Sequence, residues 1–189
     1  MSRVSQAQAQ ENRANVVAAA AQLFRERGIQ GVSLADLMKS VGLTPGGFYK
    51  QFASKDALVT EATERAFNDR DTYLSSLDSK NPSRSDARSA MAEDYLSPQH
   101  RDNPGAGCPT AGFAGDLAQA AHEGNVTSQQ TYADGVRRFV DWMTDDGEDG
   151  LVATCTLVGA ILLARATSST DLSEEILRAV RHALTDSPS

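Results

Sequence analysis

The chain has 189 residues, of which 40% are hydrophobic and 23% charged, with two cysteines and a net charge of −7. This is the composition of a globular protein large enough to bury a core, and it excludes a disordered chain or a disulfide-stapled scaffold. Charge is unevenly placed: residues 1–55 hold seven Lys/Arg against three Asp/Glu, a net +4, and the remainder nets −11.

A basic head on an acidic body points to a polyanionic partner for the head alone. The polar start (SRVSQAQAQENR) has no apolar core of a secretory signal. Cys108 and Cys155 make neither a CxxC pair nor a disulfide framework. Both features lead to the expectation of a cytoplasmic protein. The most apolar run, Leu151 to Ala164, falls short of the ~20 residues a membrane span needs, and reads as a buried helix.

In chain order nearly every segment reads as helix, and no alternating strand pattern occurs. Residues 11–27 carry Val17, Ala20, Ala21 and Phe24 at helical spacing, with Gly28 placed to end them. Ser33 reads as an N-cap ahead of Leu34, Leu37, Met38 and Val41, with Gly42 as the stop. Thr44 starts a third, short helix over 44–51. Ser54 caps a fourth, running from about 54 to 77 with Leu58, Ala62 and Ala66 on one side. Residues 78–86 read as a hinge, 86–96 as helix, and SPQHRDNPGAG (97–107) as a long loop. Helices follow over about 109–122, around Tyr132 to Met143, over 151–166 and over 172–184, with TSSTD between the last two. The expectation is an all-α fold of about nine helices. A head at 1–53 joins a body at 54–189 through the helix from about 54 to 77.

The pair at 33–41 and 44–51, joined by VGLT, has the pattern of a helix-turn-helix, whose second helix enters the major groove by its N-terminus. That placement gives a use to the helix-weakening sequence TPGGFYKQF. Thr44 and Pro45 suit the N-cap and first position. Gly46 and Gly47 fall in the first turn, where unpaired N–H groups favour anions and a missing Cβ permits close approach. Each glycine costs about 0.8–1 kcal/mol relative to alanine. Burial of Phe48 and Phe52 offsets this by roughly 1.5–3 kcal/mol each. Tyr49 and Lys50 point off the aromatic face and suit phosphate. Lys55 sits in a first turn, where a cation opposes the helix dipole, so a phosphate partner is its expected reason.

The stretch VSLADLMKSVGLTPGGFYKQFASKDALV (Val32 to Val59), with RANVVAAAAQLFRERG before it, resembles the DNA-binding signature of the tetracycline-repressor (TetR) family over roughly residues 11–67. The resemblance implies a homodimeric repressor with a three-helix head and a ligand-binding helical body. It implies DNA contacts by Ser33, Thr44, Pro45, Gly46, Gly47, Tyr49, Lys50 and Lys55. Gln51 departs from the pattern, which often has histidine there.

In the body, HRDNPGAGCPTAGFAGDLA (His100 to Ala118) resembles a segment that, in one subgroup of these regulators, leads into a helix lining the ligand cavity. Phe113, Leu117, Tyr132, Phe139, Trp142 and Met143 are candidates to line an apolar pocket, against the plainer reading as core. Cys108, just before Pro109 at a helix start, is a candidate reactive thiol, whereas Cys155 lies in the apolar run and is expected in the core.

The helices at 151–166 and 172–184 read as an interface, against the plainer reading as one intrachain hairpin. Ala153, Gly159, Ala160 and Ala164 would allow close approach, with Leu157, Ile161, Leu162, Ile176, Val180 and Leu184 as filler. The resemblance implies that they pair into a four-helix bundle. Expected partners are therefore double-stranded operator DNA, a small-molecule effector and a second copy of the chain.

Catalysis has no motif here. His100, His122 and His182 lack metal-ligand spacing, and GxSxG, P-loop and GxGxxG are absent. DDGEDG (145–150) lacks the ligand alternation of a calcium loop. Neither a cofactor nor a metal is expected. Two other readings stand beside the ligand-responsive repressor: a redox-sensing repressor switched through Cys108, and a helical enzyme or carrier that does not bind DNA.

Overall fold

The computed structural model describes residues 6–122, 126–144 and 149–185. Among these the fold is all-helical, with nine α-helices and two 3-10 turns. The helix α1 (Gln6–Arg27) starts five residues before the periodic stretch that announced it. It buries Val16, Ala20, Ala21 and Phe24, with Val17 only partly covered. Gly28 takes φ +76 just beyond its end and returns its N–H to the Phe24 carbonyl at 2.9 Å. Such a left-handed residue closes a helix at no Cβ cost.

The short α2 (Leu34–Ser40) is capped by Ser33, whose Oγ accepts the Asp36 N–H at 3.1 Å. Two residues beyond its end Gly42 takes φ +73, and the Leu43 N–H reaches back to the Met38 carbonyl at 2.9 Å. The expected helix at 44–51 is instead a 3-10 turn over Pro45–Lys50. Two glycines weaken the wider α ladder, so the chain tightens. The turn holds because Phe48 and Phe52 stack at 5.3 Å and are both buried.

The long α3 (Lys55–Lys80) runs from head to body, capped by Ser54 on the Ala57 N–H. It extends to Lys80, so the expected hinge at 78–86 shrinks to three residues before α4 (Arg84–Tyr95). The expected loop at 97–107 contains α5 (Pro98–Asp102) and a 3-10 turn (Pro104–Ala106). Pro98 follows the cap Ser97, a local start signal hidden among loop-forming residues. Then come α6 (Pro109–His122), α7 (Val126–Met143), α8 (Gly150–Ala166) and α9 (Asp171–Thr185). Residues 145–148 of DDGEDG lie outside the described residues; Asp149 caps α8 through the Leu151 N–H.

Two apolar clusters organise this chain. One gathers α1, α2, the first 3-10 turn and the first half of α3, and takes in Phe113 and Leu117 from α6. The other joins Leu74, Met91, Tyr95 and Leu96 to Phe139, Trp142, Leu157, Ile161 and Leu177. Head and body are thus tied by a shared core as well as by α3. Close crossings are set by glycines: a Cβ on Gly112 would lie 2.7 Å from Arg25 Cγ, and one on Gly135 would fall into the Phe67 ring.

On α8, Leu157, Ala160, Ile161 and Ala164 face the chain's own core. Small size at 160 and 164 therefore serves packing within the chain. The outer face carries exposed Leu151, Val152, Leu162 and Leu163, and Leu172 of α9 is also exposed. Cys155, expected in the core, is exposed on that face. An apolar run about four turns long has two sides, and the composition could not say which one Cys155 occupied.

Candidate nucleic-acid interface and ligand cavity

In the head, Tyr49 is 72% exposed and packs edge-on against Phe48 at 5.1 Å, so its hydroxyl is delivered to solvent by a ring fixed on the core. Lys50 beside it is exposed, as are Ser33, Thr44, Pro45 and Gly46, with Gly47 half-buried. Thr44 makes no capping hydrogen bond through its side chain. A Cβ on Gly46 would meet nothing within 4 Å, and one on Gly47 would lie 3.6 Å from Met38 Cε. Nothing inside the protein therefore requires glycine at these two positions.

Arg13 pairs both guanidinium nitrogens with Glu61 and lies 4.5 Å over the Phe52 ring, fixing α1 to α3 behind the turn. Lys55 has an internal task that the sequence did not reveal. Its Nζ donates to the Ile29 carbonyl at 2.6 Å and the Val32 carbonyl at 2.8 Å. A cation in a first turn is explained by those two loop carbonyls, with one N–H to spare.

The body holds a cavity of about 510 Å3, bounded by Ala18, Gln22 and Arg25 of α1, by Ala66, Asp69, Arg70 and Tyr73 of α3, by Asp94, and by the segment from His100 to Pro109. That volume suits a small-molecule ligand. None of the six apolar residues expected to line a pocket borders it. Phe113 sits in the head cluster and Phe139, Trp142 and Met143 in the body cluster. Leu117 and Tyr132 border a smaller cavity of about 380 Å3 between α6 and α7. One sequence signal did mark the larger cavity: Arg70 interrupts the buried series Ala62, Ala66, Leu74 at four-residue steps.

His100 organises the cavity wall. Its Nδ1 meets the Tyr95 carbonyl at 2.7 Å, and its Nε2 accepts the Cys108 N–H at 3.0 Å. The second bond requires a neutral ring, with the proton on Nδ1. Burial holds the imidazole down at about 4, with Arg165 and Arg70 acting the same way. Arg25 reaches from α1 into the wall and donates to the Gly107 carbonyl at 2.8 Å.

Cys108 follows, buried at the start of α6. Burial pushes its thiol up, but the Arg70 charge, the Tyr95 hydroxyl, the Ala111 N–H and the Thr110 hydroxyl bring it below the ordinary value. The Tyr95 hydroxyl, itself buried, has no hydrogen-bond partner of ordinary geometry. Among the described residues no cluster of His, Cys, Asp and Glu could hold a metal, and no helix is long and apolar enough to cross a membrane.

A helix-turn-helix is a motif whose second element, in proteins that bind DNA with it, enters the major groove. Residues 16–62 match the family model described as bacterial regulatory proteins, tetR family. Over 64 residues the chain is 34% identical to the HTH-type transcriptional regulator AcrR of Shigella flexneri, covering 34% of this chain and 30% of that protein. The matched stretch thus spans less than a third of that relative.

Among solved structures, the reduced form of E. coli NemR superposes with a TM-score of 0.76 at 21% identity, covering 93% of this chain and 96% of that one. A TetR regulator from Chloroflexus aurantiacus superposes with a TM-score of 0.74 at 19% identity, covering 96% of each chain. Residues 16–62 thus match the tetR family model, and the fold of the described residues is that of solved TetR regulators.

Proposed function

We propose that the protein is a homodimeric repressor that leaves a near-palindromic operator when a small molecule enters the cavity of about 510 Å3. One observation carries this reading: α1 of the head forms a wall of that cavity through Ala18, Gln22 and Arg25. A molecule bound there touches head and body together, and shifts the balance of head positions only by binding one of them more tightly.

The DNA contacts fall to Ser33, Thr44, Pro45, Gly46, Gly47, Tyr49 and Lys50, with the spare N–H of Lys55. The exposed apolar face of α8 and α9 (Leu151, Val152, Leu162, Leu163, Leu172) takes the second copy. The test is fluorescence anisotropy with DNA from upstream of the protein's own gene. Tyr49→Phe and Lys50→Ala should both weaken binding, and Lys50→Ala should lower the salt slope by about one unit per subunit. Unchanged affinity and slope in both variants would remove the turn from the interface.

A second reading is favoured by one feature: Cys108 borders the same cavity and its thiol is held below its usual range. In that reading an oxidant or electrophile reaching Cys108 releases the DNA. Peroxide or a quinone, applied to the parent and to Cys108→Ser, separates the two. Release that vanishes in the variant selects the thiol switch; release by neither agent leaves the pocket ligand.

A further inference from the structure

We infer that the cavity is a carboxylate site: its ligand is a small organic acid whose carboxylate lies against Arg70, with Arg25 as the second cation. The inference rests on the cavity being the effector site. It starts from two guanidiniums without counter-ions. Arg70 Nε is buried with no hydrogen-bond partner. Its Nη2 meets only the Met91 sulfur, at 3.4 Å, a weak acceptor. The remaining surroundings of its guanidinium are aromatic faces, with Phe139 at 4.6 Å and Tyr73 and Tyr95 at 5.4 Å.

Arg25 donates to the carbonyls of Ala21 and Gly107, and burial lowers its hold on its proton, although Cys108 and Asp69 pull the other way. Neither arginine has a carboxylate within ion-pair distance among the described residues. The two carboxylates of the lining are exposed and already engaged. Asp69 takes Arg65 Nε at 2.8 and 3.0 Å, and Asp94 accepts the Tyr73 hydroxyl at 2.8 Å.

A partly desolvated guanidinium with unused N–H groups is costly, and an anion that fits removes that cost. A guanidinium can match a carboxylate in two parallel bonds, and Arg70 lines the cavity. A phosphate dianion would meet stronger repulsion from Asp69 and Asp94 than a carboxylate monoanion does. Ala18, Ala66, Ala106, Pro109 and the Tyr73 ring give the carbon skeleton apolar cover. Bound acid also competes with a Cys108 thiolate for the Arg70 charge, so it should raise the thiol and slow its alkylation.

The experiment is calorimetric titration of the full chain with benzoate, 3-phenylpropanoate and hexanoate, beside their methyl esters and phenyl phosphate. We expect at least one acid to bind saturably, with its ester and phenyl phosphate weaker. Arg70→Met should weaken that acid by at least about tenfold, with Arg70→Lys falling between, in proteins of unchanged helix content. Iodoacetamide labelling of Cys108 should slow when the acid is present.

Esters binding as well as acids would overturn the inference. So would an unchanged affinity in Arg70→Met, or no binding of any of the three acids up to about 10 mM. Acid that binds through Arg70 but leaves the protein on its DNA would sink the effector reading and leave the carboxylate site standing.

Discussion

The ammonium of Lys55 lies 2.6 Å from the carbonyl oxygen of Ile29, across the loop that joins the first two helices of the head. With its second bond to Val32 it holds that loop in place from the first turn of α3. Lys55→Met keeps the stem and removes the ammonium, leaving two carbonyls without their donor. We expect the head to lose about 1–3 kcal/mol in urea denaturation. Full stability combined with weakened DNA binding would instead make Lys55 a phosphate contact only.

Gly46 and Gly47 have room for a Cβ inside the protein and take negative φ. Gly46→Val and Gly47→Val should therefore fold, with melting temperatures close to the parent. Their affinity for DNA should fall by more than about tenfold, because a branched side chain holds the backbone away. Normal binding by either variant would show that close approach is not the reason for glycine there.

Gly135 faces the ring of Phe67 where α7 crosses α3. Gly135→Ala should destabilise the protein by about 1–3 kcal/mol through overpacking. In a Phe67→Leu background the same change should cost less, with a coupling of at least about 0.5 kcal/mol in a double-mutant cycle. Additive losses would mean that the Phe67 ring is not what Gly135 makes room for.

His100 sets a pH dependence whose sign follows from its burial. Its folded-state value of about 4 lies below the ordinary 6.5, so the unfolded chain takes up the proton first. Stability is then complete above about pH 6.5 and is lost as pH falls towards 4, by about 3 kcal/mol in all. His100→Gln should flatten the part between 6.5 and 5, where few carboxylates titrate, in denaturation at stepped pH. An unchanged slope there would assign the dependence to other groups.

The head was legible in the sequence because its signals are local. Ser33, Gly28, Gly42 and Ser54 sit at helix ends whose chemistry depends on neighbours within four residues. The tightening of TPGGFYKQF into a 3-10 turn was not legible, since the glycine weakening and the Phe48–Phe52 stacking oppose each other.

The cavity was missed for a different reason. Apolar pattern marks what is buried, and Phe113, Phe139, Trp142 and Met143 are buried against the chain itself. Open space is lined by what packing leaves unfilled, here Arg25, Arg70 and the turns around His100 and Gly107. Arg25 and Gly107 lie 82 positions apart, and no spacing rule joins them. Cys155 was misplaced because an apolar run says that a helix has a greasy side, not which partner each side meets.

Because α1 supplies both core to the head and wall to the cavity, the two halves are not interchangeable parts. A head grafted from a related protein at residue 53 would bring its own residues to positions 18, 22 and 25, and so replace one wall of the cavity in the body it joins. The reverse also holds: any body offered to this head must find something for Arg25 to grip. Exchange of heads between such proteins therefore has to stop at the outward face of the first helix, leaving its inner face with the body.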